Sequence, residues 1–180
     1  LGFFNDQVDI KETKSFKEVV QKVIDYDKKN NKKFIIGRGW DQNDWDIKSF
    51  PTNKLLNEAF PDKAVVLRRI DGHAYIVNEY ALSLAGINES SYVDGGEFIK
   101  SNGKLTGVLI DNAMRFIDNI IPEPSQEESI KALLSAQEMA FENGLTTISE
   151  AGISRKQIEL IDSLQKSGIL KIKIYAMIEN

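Results

Sequence analysis

The stretch Ala64-Val65-Val66-Leu67-Arg68-Arg69-Ile70-Asp71-Gly72-His73-Ala74-Tyr75-Ile76-Val77-Asn78 decides how the rest of the chain is read. Ala64 to Leu67 is a short apolar run, the pattern of a buried strand. The run stops at charged and polar residues, and Gly72 then permits a sharp turn. His73, the only histidine in 180 residues, stands at the exit. In folds built on parallel strands, the carboxyl ends of the strands are where ligands bind. Taken by themselves, Asp71 and His73 read as residues that hydrogen-bond a turn. The residues on either side of the stretch move the reading toward a site.

Upstream, Phe34-Ile35-Ile36-Gly37 has the same strand character and exits into Arg38-Gly39-Trp40-Asp41-Gln42-Asn43-Asp44-Trp45. Val8-Asp9-Ile10 gives a short strand before it. Ser15 opens a helix whose stripe is Phe16, Val19, Val20, Val23 and Ile24, and Ser15 with Glu18 has capping-box spacing. Pro51-Thr52 begins a short helix through Phe60, and Pro61-Asp62 breaks it. Downstream, Asn78 is an N-cap for Glu79 to Ala85, with Gly86 as the stop. Asn102-Gly103, between Phe98-Ile99-Lys100 and Leu105 to Ile110, is a type I′ hairpin signal, and a short helix follows around Asn112 to Ile120. Ser125 with Glu128 and Ser154 with Gln157 open two more helices. The first is expected to bury Ile130, Leu133, Leu134 and Phe141. Between them Leu145 to Ile148 is a strand, with Ser149-Glu150-Ala151-Gly152 at its exit, and Ile172 to Ile178 is the last strand.

Alternating strands and amphipathic helices predict an α/β fold with mainly parallel pairing. The expected organisation is β/α units over residues 1–87, a hairpin-containing insertion over 88–121, and further β/α units over 122–180. Together they form one globular unit truncated at both ends. That truncation is expected because the chain starts at Leu1 and stops at Asn180, directly after a strand that a helix would normally follow. Gly37-x-Gly39 lacks the third glycine of a dinucleotide loop, so a nucleotide site is given little weight.

Composition narrows the function classes. Net charge is −4, with acids and bases interspersed and no basic stripe, so nucleic acid is not an expected partner. With no cysteine there is neither a disulfide framework nor a thiolate metal site. No apolar run approaches the ~20 residues of a membrane helix, and no signal peptide is visible. The expected compartment is the cytoplasm, although an exported protein also fits. A homo-oligomer is left open.

If the strands are parallel, three exits share one face: Arg38, Trp40, Asp41 and Trp45; Asp71 and His73; and Glu150. Polar groups converging with two tryptophans describe a ligand pocket. Each residue also has a plainer role. The tryptophans cap a core, Glu150 accepts N–H bonds at the next helix, and only one of Arg68 and Arg69 faces the pocket because neighbours in a strand alternate sides.

These residues carry a resemblance. Gly37-Arg38-Gly39-Trp40-Asp41 with Trp45, Pro51-Thr52, Pro61-Asp62, Arg68, Asp71-Gly72-His73, Asn78, Ala81-Leu82 and Gly86-Ile87 form one part of it. Gly95-Gly96, Leu105-Thr106-Gly107-Val108-Leu109, and Gly144-Leu145-Thr146-Thr147 with Glu150-Ala151-Gly152 form the rest. Their combined order resembles the YtcJ-like branch of the metal-dependent amidohydrolases, amidohydrolase family 3, which includes N-substituted formamide deformylases. The resemblance runs from about Val8 to Ile178. It implies a (β/α)8 TIM barrel and a divalent metal, zinc in the first instance, that activates a water to cleave an amide- or formamide-type C–N bond. It implies Glu150 as a metal ligand, His73 and Asp71 as catalytic residues, and Trp40, Asp41, Trp45 and Arg68 as contacts to a small amide substrate. The family's His-x-His pair and its later histidines are not in this sequence, so the chain is expected to be an internal part of such an enzyme and inactive by itself. The rival is a stand-alone α/β ligand-binding module that carries no metal.

Overall fold

The computed structural model describes Gly2 and residues 7–178. Two compact units emerge, one over residues 7–122 and one over residues 123–178 together with Gly2.

The unit of residues 7–122 is built on a six-stranded sheet. In chain order it contains β1 (Val8–Asp9), α1 (Phe16–Asn30), β2 (Phe34–Trp40), α2 (Lys54–Ala59), β3 (Ala64–Arg69), β4 (Ala74–Val77), α3 (Glu79–Leu84), β5 (Gly96–Ser101), β6 (Lys104–Asp111) and α4 (Arg115–Asp118). The strands lie in the order β1-β2-β3-β4-β6-β5. Parallel pairing, expected to predominate, holds for β1 to β3. From β3 onward the sheet is antiparallel. The cause is the Gly72 turn: at φ +86° it sends the chain straight back as β4 instead of into a helix. The Asn102-Gly103 turn has both residues at positive φ, 51° and 77°, as a type I′ hairpin requires. Its second strand, β6, pairs with β4, so the hairpin continues the same sheet.

Alternation along the strands sorts side chains to two cores. One face carries Ile35, Val65, Leu67 and Ile76 against Val19, Val20 and Val23 of α1 and Leu56 of α2. The other carries Val66, Tyr75, Val77 and Leu109 against Ala81 and Leu82 of α3 and Ile117 of α4. Ser15 caps α1 by accepting from the Glu18 N–H at 3.2 Å, while the Glu18 carboxylate accepts from the Lys14 N–H instead of closing the box on Ser15. Asn78 does more than cap α3. Fully buried, its Oδ1 accepts from Val65 N and Ala81 N, and its Nδ2 donates to the carbonyls of Phe60 and Lys63.

The second unit holds α5 (Gln126–Glu142), β7 (Thr147–Ile153), α6 (Arg155–Lys166) and β8 (Lys173–Ile178), with β7 and β8 parallel. Both of its capping boxes form in full, Ser125 with Glu128 and Ser154 with Gln157. Of the residues expected on the inner face of α5, Ile130, Leu133 and Leu134 pack against the core of this unit and Phe141 does not. Ala132, Ala136 and Ala140 are its buried residues, while Phe141 is 42% exposed. These alanines recur every four residues and form one stripe along the helix. β7 is also longer than its apolar run suggests, because β8 offers hydrogen-bond partners as far as Ile178. Glu150 therefore lies within the strand and not beyond its end. Among the described residues no helix is long and apolar enough to cross a membrane.

Candidate functional site at the strand ends

β6 runs antiparallel to β4, and β4 antiparallel to β3, so β2, β3 and β6 all end at one edge of the sheet. Trp40, Arg69 and Asp111 are their last residues. The turn of Ile70 to His73 crosses this edge.

Polar side chains interlock there. Arg69 forks onto Asp71, with Nε 2.9 Å from Oδ1 and Nη2 2.6 Å from Oδ2. That hydrogen bonding, ahead of any other influence, lowers the Asp71 pKa below the ordinary carboxylate value and raises that of Arg69. Asp71 Oδ1 also accepts the backbone N–H of His73 at 3.0 Å. The His73 ring turns the other way, with Nδ1 2.9 Å from Asp111 Oδ1. Arg68 donates from Nε and Nη2 to the Gly72 carbonyl and lies over the Tyr75 ring, 5.8 Å from its centroid. Arg69 lies over Phe50 on the opposite face, so the two arginines diverge as the strand alternation predicts. The Tyr75 hydroxyl donates to Asp118 at 2.8 Å. Burial first, and that carboxylate second, push the phenol pKa well above its usual value, so Tyr75 remains a proton donor.

The other expected substrate contacts are placed differently. Trp40 is fully buried and donates its indole N–H to the Leu67 carbonyl at 2.8 Å. It stacks on Trp45 at 6.1 Å between ring centroids, and Trp45 is itself buried, with its N–H on Thr13. A bulge explains this. The register slips between Arg38 and Trp40, where Gly39 takes φ +118°, and the slip turns the Trp40 ring into the core. Gly37 and Gly39 thus serve close packing and the bulge. Asp41 caps the 3-10 turn at residues 42–44, its Oδ1 accepting from Asn43 N and Nδ2. Trp40, Trp45 and Asp41 therefore shape the exit of β2.

Glu150 belongs to the other unit. Its neighbour two positions back, Ile148, packs with Ala140, Ile161 and Leu164. Glu150 projects to that same side and lines a cavity of about 320 Å3 with Ala132, Ala136, Leu160 and Ile161. The opposite face of the two strands, with Ser149 and Tyr175, is exposed.

Asp111 was not apparent as a site residue from sequence. Its partner His73 is 38 positions away, and only the register of β4 against β6 joins them. The signal that could have marked it is a carboxylate at the end of a strand on the His73 edge. Among the described residues no group of three or more His, Cys, Asp or Glu side chains that could hold a metal ion comes together. One imidazole engaged at Nδ1 by Asp111 and a nearby carboxylate held by Arg69 are too few donors for a metal centre among the described residues of this edge.

The fold matches those of solved metal-dependent hydrolases. An uncharacterized metal-dependent hydrolase from Pyrococcus horikoshii OT3 superposes with a TM-score of 0.73 over 99% of this chain and 34% of that one, at 24% identity. One from Pyrococcus furiosus gives 0.69 over 97% and 34%, at 25% identity. The chain belongs to the amidohydrolase family, whose model matches residues 4–178. YtcJ of Bacillus subtilis (strain 168) is 38% identical over 115 residues, 63% of this chain and 22% of that protein. Protein LONG AFTER FAR-RED 3 of Arabidopsis thaliana is 34% identical over 121 residues, 66% of this chain and 21% of that protein. The chain thus spans about a fifth of the length of these curated relatives.

Proposed function

We propose that the protein to which this chain belongs is a metal-dependent hydrolase, built on a (β/α)8 barrel, that cleaves an amide-type C–N bond in a small molecule, formamides included. A divalent cation, zinc foremost, would supply the activated water, as the family implies. The observation that supports this most is the edge where β2, β3 and β6 end, since catalysis in such folds is placed at the carboxyl ends of strands. There Arg69 holds Asp71, Asp71 holds the His73 backbone, and Asp111 holds the His73 ring. The His73 side chain is 71% exposed, so the free part of the ring is within reach of a substrate's carbonyl or amide group. Trp40 and Trp45 act behind it by fixing the exit of β2.

Hydrolysis of a panel of N-substituted formamides and N-acyl amides by the whole protein tests this reading. Turnover is expected to vanish on exhaustive chelation and to return with a divalent metal. A correctly folded, metal-supplied protein that cleaves no member of the panel would overturn it.

A further inference from the structure

Asp111 stands in a backbone conformation that side-chain-bearing residues avoid, φ 48° and ψ −119°. Such positions usually hold glycine, because a Cβ is disfavoured there. Strain of this kind persists only where the surroundings over-determine it, and it concentrates at functional positions. The surroundings here do so. The Asp111 N–H donates to the His73 carbonyl at 3.1 Å, the next N–H, of Asn112, donates to the Gly95 carbonyl at 3.2 Å, and Asn112 Nδ2 donates to the Asp94 carbonyl at 2.8 Å. What a carboxylate adds at this place is its contact with the His73 ring.

We propose that Asp111 is a positioning residue that fixes His73 as the Nδ1–H tautomer and so leaves the Nε2 lone pair turned outward. The chemistry of the contact sets the tautomer. An ionised carboxylate only accepts hydrogen bonds, so a ring nitrogen 2.9 Å from Asp111 Oδ1 must carry the proton. The remaining nitrogen is then an acceptor, the state a general base needs. The imidazole is fixed from two sides, its backbone by Asp71 and its ring by Asp111. Asp71 is itself held by Arg69, so the arrangement does not depend on one flexible contact. A base oriented by a carboxylate on its far nitrogen is the same logic as in hydrolytic triads, without the nucleophile. What Nε2 does to a substrate rests on the hydrolase reading; the tautomer does not.

The test is an imidazole nitrogen-15 NMR measurement on the 180-residue chain. His73 is its only histidine, so the two ring signals are unambiguous. The spectra are recorded at successively higher pH until the ring shifts no longer change, and the shifts on that plateau report the tautomer ratio of the neutral ring. The wild-type chain is expected to be mainly Nδ1–H. Asp111→Gly, which the backbone at this position favours, removes the carboxylate and should move the ratio toward Nε2–H by about tenfold. Asp111→Asn tolerates positive φ, has the same shape and can present an N–H to Nδ1, so it should move the ratio the same way. A wild-type ring already in the Nε2–H form, or an unchanged ratio in both variants, overturns the proposal. Neither result depends on turnover, so a protein that proved not to be a hydrolase would leave this outcome readable.

Discussion

Arg69 and Asp71, two residues apart, close a two-bond fork across the turn that joins β3 to β4, at 2.9 and 2.6 Å. The fork locks the turn and presents Asp71 Oδ1 to the His73 N–H. Because Arg69 holds the carboxylate, the folded-state pKa of Asp71 lies below its ordinary value of 3.8. Ionised Asp71 therefore favours the folded chain. That contribution is complete above the ordinary value and is lost as pH falls through the lowered one. The Asp71 side chain is 43% exposed, which screens the pair and holds its worth to about 0.5–1 kcal/mol. Asp71→Asn should lose that amount near neutral pH, and its stability should converge on wild type in acid. Denaturant titrations between about pH 2 and 7 check this; a difference independent of pH would assign the loss to something other than the fork.

His73 separates chemistry from stability because its ring is exposed and its backbone bonds do not depend on its side chain. His73→Asn in the whole enzyme should leave the thermal midpoint within a few degrees of wild type. The kinetic cost should be large, about 10²–10³ in kcat, as for the loss of one polar group at a reacting carbonyl. Recording the midpoint and kcat/KM on the same preparation decides the matter. A collapsed midpoint with normal kinetics in the folded fraction would make His73 a turn residue.

The local signals in the sequence carried well and the non-local ones did not. Ser125 with Glu128 and Ser154 with Gln157 close their boxes because both partners lie within one helical turn. Asn102-Gly103 fixes its hairpin for the same reason. β4 was missed because Ala74 to Val77 is buried on both faces and short, so it shows no alternation to set it apart from a strand exit. Missing β4 hides the antiparallel half of the sheet, and with it the meeting of His73 and Asp111. Trp40 follows the same rule. Its indole is polar at one end, which suits a pocket rim, but the bulge at Gly39 sends that end to the Leu67 carbonyl. Tryptophan type does not encode which way a bulge will turn it.

Glu150 tests the second unit. The resemblance implies it as a metal ligand, whereas β7 directs its side chain to the helix side, into the cavity that Ala132 and Ala136 line. From that geometry, Glu150→Gln in the whole protein should keep the metal stoichiometry and change stability by less than about 1 kcal/mol. Metal analysis of the purified variant is the measurement. Loss of a metal equivalent with an unchanged fold would assign Glu150 to the metal.

Asn78 is where a single amide joins the end of α2, the start of β3 and the start of α3. All four of its hydrogen-bonding positions are used, and it is fully buried. Asn78→Ala strands two N–H groups and two carbonyls, and should cost about 3 kcal/mol or more. Asn78→Asp is the more informative change. Its carboxyl can still accept from Val65 N and Ala81 N, but the position of Nδ2 becomes an oxygen facing the carbonyls of Phe60 and Lys63. Burial and that repulsion raise the pKa of the introduced carboxyl in the folded chain, whereas in the unfolded chain it stays near ~3.9. The folded state then binds the extra proton, so the variant loses stability as pH rises from about 4 toward the raised value. In acid, the protonated carboxyl can donate to one of the two carbonyls and recover part of the loss. Stability relative to wild type should therefore be best near pH 4 and worst at neutral pH, in the same sense as the Asp71→Asn profile but over the window above ~3.9 and not below it. Parallel denaturant curves at pH 4 and pH 7 suffice, and an equal deficit at both would show that the amide's two donor bonds contribute little to the fold.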